Sequence, residues 1–502
     1  MHCVETSVTP DLPRLCDGLV ATLPRRVRRP AYDRGGVSHG IVHLGLGAFH
    51  RAHQAVYTDD RLAAGERSWG IVGLSLRSPD VRNALGPQDG LYTVLQRGPE
   101  GDLARVIGSV LEVLTVPENP DAAMAKLVDP RARIISLTVT EKAYCQDAAT
   151  GTLDEAHPGI VADLKKEGPP STVPGLLVEA LRQRREAGAG PCTILVCDNL
   201  PSNGETVARI VSRYAALCDA TLSDYIANET AFPCTMVDRI VPATTESDRA
   251  AVAALGYRDA WPVIAEPFSQ WVIEDRFVAG RPIWEEAGAQ MVTDVRPFEL
   301  MKLRALNGAH SSLAYLGGVA GLATVAEAMA DPALAGFLRD LWTRDLLPTI
   351  PAVPGMKLAA YTSQLEERFR NPAMRHRLEQ IAMDGSQKLP QRLLRPALAR
   401  LQQGQMPACI ALVVAAWMRF MLGRDELGRS YPISDPLGGR LAVLATRSGE
   451  VAEPLADALF AIREVFDPAL AEHPAFHTEV VRLLRSLLAT GVRATLSSRA
   501  IQ

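Results

Sequence analysis

Short apolar runs alternate with amphipathic segments over residues 1–290. Apolar runs that end in glycine or polar residues are typical of buried parallel strands, and they occur at IVHLGLG (41–47), WGIVGLSL (69–76), ARIISLTVT (132–140) and TILVCDN (193–199). Apolar residues recur every three or four positions in VPGLLVEALRQRREAG (173–188), which predicts a helix. This alternation predicts an α/β domain with a doubly wound parallel sheet.

Two further segments and the second half of the chain extend this pattern. LYTVLQR (91–97) and RVIGSVLEVL (105–114) predict additional strands, for which antiparallel pairing is an option. From about Asp294 the apolar spacing becomes helical, and proline-containing turns separate the segments. Because 502 residues exceed the usual size of a single core, we expect two domains. Residues 1–290 form the α/β domain, and residues 291–502 form a mostly α-helical domain.

A glycine-containing turn joins the first predicted strand to a helix in IVHLGLGAFHRAHQAVYTDD (41–60). Gly45 and Gly47 occupy two positions of a dinucleotide-binding turn: the first permits the tight turn, and the second lets the backbone approach a pyrophosphate. The third glycine position holds His50. The predicted cofactor-binding residues here are Gly45, Gly47, Ala48, Phe49 and His50. A plain strand–helix turn is the alternative, and His50, Arg51 and His53 are either phosphate ligands or a partly buried helix start.

The residue after the second predicted strand bears on which dinucleotide is bound. Chains that bind NAD usually carry an acidic residue there, which contacts the ribose. Here the strand runs into SLRSPD (75–80), so the acidic Asp80 comes late and Arg77 comes first. Arg77 is therefore added to the predicted cofactor-binding residues. Because an arginine could pair with a 2′-phosphate, NADP remains an alternative to NAD.

Composition and charge argue against several classes of protein. The net charge is −4, and RRVRRP (25–30) is only a short basic cluster, so nucleic acid is not an expected partner. The longest apolar run, ACIALVVAAWM (408–418), is too short to span a bilayer, and no signal pattern is present, so we expect a cytoplasmic protein. The eight cysteines are expected to be reduced thiols. No Cys/His set has ligand spacing, so no metal site is predicted.

One mostly apolar predicted helix, ELMKLRALNGAHSSLAYL (299–316), carries three hydrogen-bonding side chains. At about 100° per residue, Lys302, Leu306 and His310 form one stripe, and Asn307 flanks it. Burial lowers the pKa of a lysine and allows proton exchange near neutral pH, an amide can donate to an oxyanion, and an imidazole can orient a substrate hydroxyl. These groups favour metal-free alcohol–carbonyl interconversion beside a nicotinamide. The alternative is that Lys302 extends to solvent, Asn307 caps, and His310 is a hydrogen-bonded core residue.

Several motifs resemble those of the polyol-specific long-chain dehydrogenases, the mannitol dehydrogenase family. They are GAFHRAHQ (47–54), SLTVTE (136–141), CDNLPSNG (197–204), FPCTMVDRIVPAT (232–244), EPFSQWVIED (266–275) and MKLRALNGAH (301–310). The resemblance covers about residues 30–440, and K-x4-N-x2-H together with MVDRI is highly specific. It implies a Rossmann-type N-terminal domain, a largely helical C-terminal domain with substrate bound between the two, and NAD as cofactor.

The resemblance also implies residue roles at the matching positions. They are general acid–base for Lys302, oxyanion stabilisation for Asn199 and Asn307, substrate binding for His310, electrostatic support for Asp238, and proton relay for Glu141. We further expect a monomer or a weak homo-oligomer that acts on a small sugar acid or polyol.

Two segments are more similar to the fructuronate reductase branch of the family: TEKAYC (140–145) and ERFRNPAMRHRLEQIAMDGSQKLPQRLL (367–394). A uronate carries a carboxylate, and a buried carboxylate needs a cationic partner. Lys388 and Arg392 are four residues apart and could share a helical face, and Lys142 is a third candidate. Alternatively, these cations hold the helical domain together or bind a polyol hydroxyl.

The sequence therefore predicts NAD(H)-dependent interconversion of D-fructuronate and D-mannonate. A mannitol 2-dehydrogenase or a related neutral polyol dehydrogenase with the same catalytic groups is the alternative. A dinucleotide-binding regulatory protein without chemistry is a third hypothesis, and the presence of Lys302, Asn307 and His310 argues against it.

Overall fold

The computed structural model describes residues 12–147 and 150–498, and the chain divides between Val295 and Arg296 into two compact units. The N-terminal unit contains the strands, which we number in chain order. They are β1 Val27–Arg28, β2 His39–Leu44, β3 Gly70–Ser75, β4 Tyr92–Gly98, β5 Gly101–Ile107, β6 Val110–Thr115, β7 Ile134–Leu137, β8 Cys192–Val196, β9 Thr230–Ala231, β10 Thr235–Asp238, β11 Val263–Ala265, β12 Gln270–Glu274 and β13 Gln290–Val292.

A six-stranded sheet organises this unit, with the spatial order β6-β3-β2-β7-β8-β9. Every neighbouring pair is parallel. Counted along the chain within this sheet, the order is 3-2-1-4-5-6, which is that of the Rossmann fold. The order reverses between β2 and β7, where Val42 pairs with Ile135. The predicted Rossmann-type α/β fold is therefore confirmed.

The core of the N-terminal unit lies on both faces of this sheet. All residues of β2, β3, β7 and β8 are buried, which explains why each reads as a continuous apolar run rather than an alternating one. Successive side chains of a strand point to opposite faces of the sheet: Val42 belongs to one apolar cluster, and Ile41 belongs to the other. Two buried faces require helices on both sides, as in a doubly wound fold.

The helices of the N-terminal unit connect these strands. The α-helices are Asp17–Val20, Ala48–Ala52, Gln54–Ala63, Asp80–Leu85, Pro120–Val128, Pro158–Leu164, Val173–Ala187, Asn203–Cys218, Ala220–Glu229 and Glu246–Ala253, and the 3₁₀ turns are Arg34–Gly36, Gly86–Gln88, Glu141–Tyr144 and Trp284–Ala287. The predicted helix at 173–188 is confirmed. The Thr172 side chain accepts from the Gly175 N–H at its start, and Gly188 ends it at φ +63°.

The structure corrects one strand prediction, RVIGSVLEVL (105–114). This run contains the end of β5 and most of β6, which belong to different sheets. β5 pairs antiparallel with β4, whereas β6 joins the six-stranded sheet parallel to β3. Gly108 and Ser109 form the break, where the Gly108 N–H donates to Asp59 and the Ser109 hydroxyl donates to Ala55 O. An apolar run alone does not reveal such a change of sheet.

Two smaller sheets complete the N-terminal unit. In the first, β1 lies beside β5 and β11 lies beside β4, both in parallel pairings. In the second, β12 pairs antiparallel with β10 and parallel with β13. The second sheet contains Asp238 at the end of β10.

The C-terminal unit is built from helices, and its described part contains no strand beyond isolated bridges. The α-helices are Arg296–Met301, Gly308–Val319, Val325–Ala330, Pro332–Asp340, Leu358–Phe369, Leu378–Ala382, Gly385–Leu389, Arg395–Gln402, Ala408–Phe420, Gly438–Ser448, Ala452–Phe460, Pro468–Ala471 and Pro474–Ser497. The other helices are π-helical at Lys302–Asn307, Leu341–Leu346 and Pro390–Leu394 and 3₁₀ at Leu347–Thr349 and Pro372–Met374. The mostly helical C-terminal domain is therefore confirmed.

The apolar run at 408–418 lies in the helix Ala408–Phe420, of which every residue is buried. Within the described part of the chain, no helix is both long and apolar enough to cross a membrane. Cys3 lies outside the described residues, and the seven other cysteines are free thiols. Among residues 12–147 and 150–498, no group of three or more His, Cys, Asp or Glu side chains is placed to hold a metal ion.

Candidate active site

The glycine turn lies at the carboxyl end of β2, where the strand order reverses. Gly45 has φ +89°, and a Cβ built there would lie 2.2 Å from the Thr138 carbonyl oxygen at the end of β7. The Gly45 N–H donates to Leu74 O at 2.9 Å, which ties the turn to β3 as well. Open α/β sheets bind ligands in the crevice at such a reversal point. Gly45 is thus required by its conformation and by the close approach of two backbone segments.

Gly47 is required by neither of these constraints. Its backbone is extended, it precedes the helix Ala48–Ala52, and a Cβ there would meet only Gly45 O, at 3.8 Å. Gly47 is exposed, and Ala48 and Phe49 are half-buried. An exposed backbone at a helix start, without a side chain, is what the approach of a pyrophosphate needs. Gly45, Gly47, Ala48 and Phe49 therefore fit the cofactor-binding prediction.

The side chains of His50, Arg51 and His53 are buried inside the N-terminal unit. The His50 ring stacks on the His43 ring at 3.4 Å between centroids, and burial holds its pKa well below the ordinary value. Arg51 and His53 both bond to backbone carbonyl oxygens. The structure favours the partly buried helix start over phosphate binding by these three side chains. For His50, only the backbone remains a candidate for cofactor contact.

Arg77 lies two residues beyond the end of β3 and is exposed. Asp80 begins the next helix and bonds to the Ser78 hydroxyl. No acidic residue therefore directly follows β3 in the structure, as in the sequence. The position of Arg77 leaves both NAD and NADP open.

Three predicted polar residues share the carboxyl-end edge of the sheet with Gly45. β7 and β8 are adjacent and parallel, with Leu137 opposite Val196, so the segments after them emerge side by side. Asn199 follows β8, and Glu141 and Lys142 lie in the 3₁₀ turn after β7. All three are exposed. The sequence could place these residues at one edge because parallel strands end on the same side.

Asp238 lies elsewhere in the N-terminal unit, at the end of β10, and is 3% exposed. Its neighbour Arg239 donates to Glu266 O at 2.8 and 3.0 Å and to Ala52 O. Because Ala52 ends the helix that follows the glycine turn, Arg239 ties the MVDRI segment to that helix. Burial lowers the pKa of Arg239 to about 10.

Sequence reasoning missed Asp198, the residue before Asn199. The Tyr144 hydroxyl donates to Asp198 Oδ2 at 2.5 Å. Burial raises the pKa of this carboxyl to about 7, and the nearby charge of Glu141 acts in the same direction. Its position at a strand end, inside the quoted CDN motif, was a signal that could have identified it.

In the C-terminal unit, the predicted helix at 299–316 is not a regular α-helix. Arg296–Met301 and Gly308–Val319 are α-helical, but Lys302–Asn307 between them is π-helical. The Trp342 indole N–H donates to the Ala305 carbonyl at 2.8 Å, so a side chain bonds the backbone inside this turn. The rotation of about 100° per residue that defined the stripe of Lys302, Leu306 and His310 therefore does not apply across this π-helical turn. Single π-helical turns occur often at functional sites.

His310 is buried within the C-terminal unit. It is 7% exposed, and its Nε2 has no hydrogen-bond partner among the described residues. Its ring stacks on Phe369 at 4.5 Å and meets the edge of His376 at 5.0 Å. Burial lowers the pKa of His310 well below its ordinary value, as do the charges of His376, Arg368, Arg392 and Lys302.

These residues form what we call the basic cluster: Lys302, His310, Arg368, His376 and Arg392. Lys302 and Arg368 are each 9% exposed. Burial lowers the pKa of His376 to about 4, so this imidazole is neutral at physiological pH. Sequence reasoning missed Arg368 and His376, since residues 58 and 66 positions away from His310 carry no local pattern that links them to it. The three cations of the cluster, Lys302, Arg368 and Arg392, bring positive charge to a place where an anion could be bound.

The two predicted carboxylate partners, Lys388 and Arg392, have different contacts. Arg392 Nη1 donates to Ser311 Oγ at 3.0 Å and lies 3.5 Å from Asn307 O, so it faces the helix of His310. Lys388 Nζ donates to Met383 O at 2.6 Å, at the start of its own helical segment. Arg392 therefore belongs to the basic cluster, whereas the bond from Lys388 to Met383 O holds the local chain.

Four non-glycine residues with left-handed backbones lie near candidate site residues. Cys145 (φ +49°) follows the Glu141 turn, and Ser202 (φ +43°) follows Asn199 by three residues. Arg375 (φ +44°) precedes His376, and Asp384 (φ +55°) precedes the helix of Lys388. Such conformations cost about 1–3 kcal/mol each and concentrate at functional sites.

The comparisons with known proteins agree with this fold. Residues 39–286 match the model of the mannitol dehydrogenase Rossmann domain, and residues 294–488 match that of the mannitol dehydrogenase C-terminal domain. D-mannonate oxidoreductase of Escherichia coli is 46% identical over 82% of this chain and 86% of its own. Mannitol 2-dehydrogenase of Phaeosphaeria nodorum is 38% identical over 95% of this chain and 84% of its own.

The structure of Pseudomonas fluorescens mannitol 2-dehydrogenase, in a ternary complex with NAD and D-mannitol, is similar to the whole chain. It has a TM-score of 0.88 and 39% identity, and covers 97% of this chain and 99% of that one. The sheet order and the glycine turn define a Rossmann fold, and the matching family models and relatives are those of oxidoreductases. The chain belongs to the mannitol dehydrogenase family.

The glycine turn yields a prediction about stability. Gly45→Ala should lower the unfolding temperature strongly, because it adds a backbone clash to an unfavourable φ, whereas Gly47→Ala should leave it nearly unchanged. Gly65→Ala is the matched control: Gly65 has φ +106° with no atom near its Cβ, so only the conformational cost of about 1–2 kcal/mol applies. Thermal unfolding of the three variants measures this order. Equal losses for Gly45→Ala and Gly65→Ala would show that contact with Thr138 is unimportant.

Proposed function

We propose that this chain is an NAD(H)-dependent oxidoreductase that interconverts D-fructuronate and D-mannonate. The basic cluster is the observation that carries the proposal. A uronate brings a carboxylate, which on leaving water needs a charge-assisted partner, whereas a neutral polyol gains little from several buried cations. The similarity to a D-mannonate oxidoreductase supports this choice.

A neutral polyol dehydrogenase is the second candidate. The similarity to mannitol 2-dehydrogenases, one of them in complex with NAD and D-mannitol, favours it. The two candidates share the same reaction type, so only the binding of the substrate's charged or neutral end distinguishes them. Arg392 is the residue on which this distinction depends, because it belongs to the basic cluster and contacts the helix of His310.

The glycine turn is proposed to hold NAD through the backbone of Gly45, Gly47, Ala48 and Phe49. Bound NAD supplies the hydride acceptor, and NADH supplies the hydride. Side chains of the protein then exchange the proton of the reacting hydroxyl and bind its oxygen. Lys302 exchanges the proton of the reacting hydroxyl, and the Asn307 amide donates to its oxygen.

His310 is proposed to bind a substrate hydroxyl, because its buried Nε2 has no hydrogen-bond partner among the described residues. In the N-terminal unit, the proposal keeps Asn199 as a second oxyanion donor, Asp238 as electrostatic support, and Glu141 as the proton relay. Lys142 remains a further candidate to bind the substrate carboxylate.

The first prediction from this proposal concerns Lys302. Lys302→Ala should lower kcat for fructuronate reduction by about 10²–10⁴-fold, the usual cost of removing a general acid–base group. NADH binding, followed by fluorescence titration, should survive, since the glycine turn lies in the other unit. A folded variant with near-normal kcat would remove Lys302 from the mechanism.

The second prediction concerns cofactor preference. We expect a higher kcat/KM with NADH than with NADPH, and we expect Arg77→Ala to weaken only the NADPH reaction, because its guanidinium could pair only with a 2′-phosphate. Arg82→Ala is a control, since Arg82 is ion-paired with Glu118 in the turn after β6. A wild-type preference for NADPH that Arg77→Ala reduces would assign NADP to this chain instead.

The third prediction separates the two substrates. Arg392→Ala should lower kcat/KM for fructuronate by roughly 30-fold to several thousand-fold, since losing one partner of a desolvated charge pair costs about 2–5 kcal/mol. Any activity on fructose, which has a neutral hydroxymethyl group instead, should change far less. Lys388→Ala should mainly reduce stability, because the Lys388 ammonium holds a backbone carbonyl.

Arg395→Ala is the matched control for this test, because Arg395 is an exposed cation three residues further along the same segment. Folding of each variant is checked by circular dichroism. If folded Arg392→Ala keeps wild-type kcat/KM on fructuronate, the carboxylate is bound elsewhere, and Lys142 is tested next. A wild-type enzyme that prefers mannitol or fructose would overturn the uronate proposal itself.

A further inference from the structure

One half-buried carboxyl group connects the two segments that leave β7 and β8. Asp198 lies two residues beyond the end of β8 and directly before Asn199. Its carboxyl accepts a hydrogen bond from the backbone N–H of Val139, two residues beyond the end of β7. It also accepts from the Tyr144 hydroxyl at 2.5 Å. Val139 and Tyr144 bound the segment 139–144, which contains Glu141 and Lys142.

The surroundings hold this arrangement from both sides. The Tyr144 side chain is 1% exposed, so its hydroxyl cannot exchange its partner for bulk water. On the β8 side, the Asn203 amide donates to Asp198 O at 3.0 Å and to Thr235 O at 3.0 Å. On the β7 side, the segment ends at Cys145 in a left-handed conformation, which persists only where its surroundings enforce it.

We propose that Asp198 is a positioning residue: by accepting from Val139 and Tyr144, it holds the segment of Glu141 and Lys142 in a fixed place relative to Asn199. The catalytic importance of this link rests on the proposed function, since the roles of Glu141 and Asn199 come from it. The link itself is a property of the N-terminal unit and does not depend on the substrate.

The strength of the link should depend on pH. The titratable groups that face Asp198 are Tyr144, Glu141 and Cys197. Burial and the charge of Glu141 disfavour ionisation of Asp198, whereas the two donors favour it, and its pKa lies at about 7. An ionised carboxylate accepts both hydrogen bonds more strongly than the protonated acid. The segment is therefore held more firmly above pH 7 than below it.

The first experiment compares hydrogen–deuterium exchange of peptides from residues 139–144 in full-length wild type, Tyr144→Phe and Asp198→Asn at pH 8. Tyr144→Phe removes one donor and keeps the ring, and Asp198→Asn removes the charge and keeps the shape. Both variants should exchange faster in this segment. Tyr257→Phe is the matched control, because this buried hydroxyl bonds to Thr93 at 2.9 Å, away from the segment. Unchanged exchange in a folded Tyr144→Phe variant would overturn the link.

The second experiment follows kcat/KM for fructuronate against pH. Tyr144→Phe should lower kcat/KM by about tenfold at pH 8. It should also move the acidic limb of the pH profile up by about one pH unit, because the lost donor stabilised the ionised form of Asp198. Asp198→Asn should remove the contribution of this group to the limb. Normal rates and an unchanged pH profile in Tyr144→Phe, despite faster exchange, would restrict the link to a structural role and overturn its positioning role.

A third measurement tests the ionisation without any substrate. Because the pKa of Asp198 is raised on folding, its contribution to stability is present below pH 4 and is lost as the pH rises through about 7. Asn does not ionise, so the unfolding temperature of Asp198→Asn should improve relative to wild type between pH 4 and pH 8. A difference that stays constant with pH would show that Asp198 is ionised throughout. If wild type does not reduce fructuronate but the exchange result holds, the proposed function fails and the link remains.

Discussion

The close approach of two backbone segments at the carboxyl ends of β2 and β7 constrains the edge of the N-terminal unit that carries the glycine turn. The Cβ position of Gly45 lies 2.2 Å from Thr138 O, so no side chain fits there. This approach brings the glycine turn beside the segment that follows Thr138. That segment continues to Glu141 and Tyr144, and Tyr144 bonds to Asp198 beside Asn199. The glycine turn and the predicted polar groups are therefore parts of one connected edge of the parallel sheet.

A different constraint governs the C-terminal unit, namely the burial of basic side chains near His310. Taking cations out of water costs several kcal/mol each, so such a cluster persists only if other interactions offset that cost. Contacts such as that from Arg392 to Ser311 offset part of it. A cluster of this kind contributes little to folding, and its usefulness is easier to understand in terms of ligand binding. The π-helical turn at Lys302–Asn307 is a second sign that the local chain departs from its most stable form.

Both units bury polar groups that have no hydrogen-bond partner among the described residues. In the N-terminal unit, Arg239 donates to Glu266 O and His53 Nε2 bonds to a backbone carbonyl, but neither ring nitrogen of His50 has such a partner. In the C-terminal unit, His310 Nε2 lacks a hydrogen bond among the described residues. A buried group without a partner is costly unless a ligand completes its bonding.

The sequence by itself determined the fold class, four of the six strands of the parallel sheet, and the groups at strand ends, because burial on two faces and glycine at strand ends leave local patterns. It also determined the spacing of Lys302, Asn307 and His310. The tertiary structure decided the break at Gly108 and Ser109, the π-helical turn, the buried orientation of His50, and the basic cluster. These features depend on contacts between residues far apart in the chain, such as Arg368 with His310 or Tyr144 with Asp198, which no local pattern records.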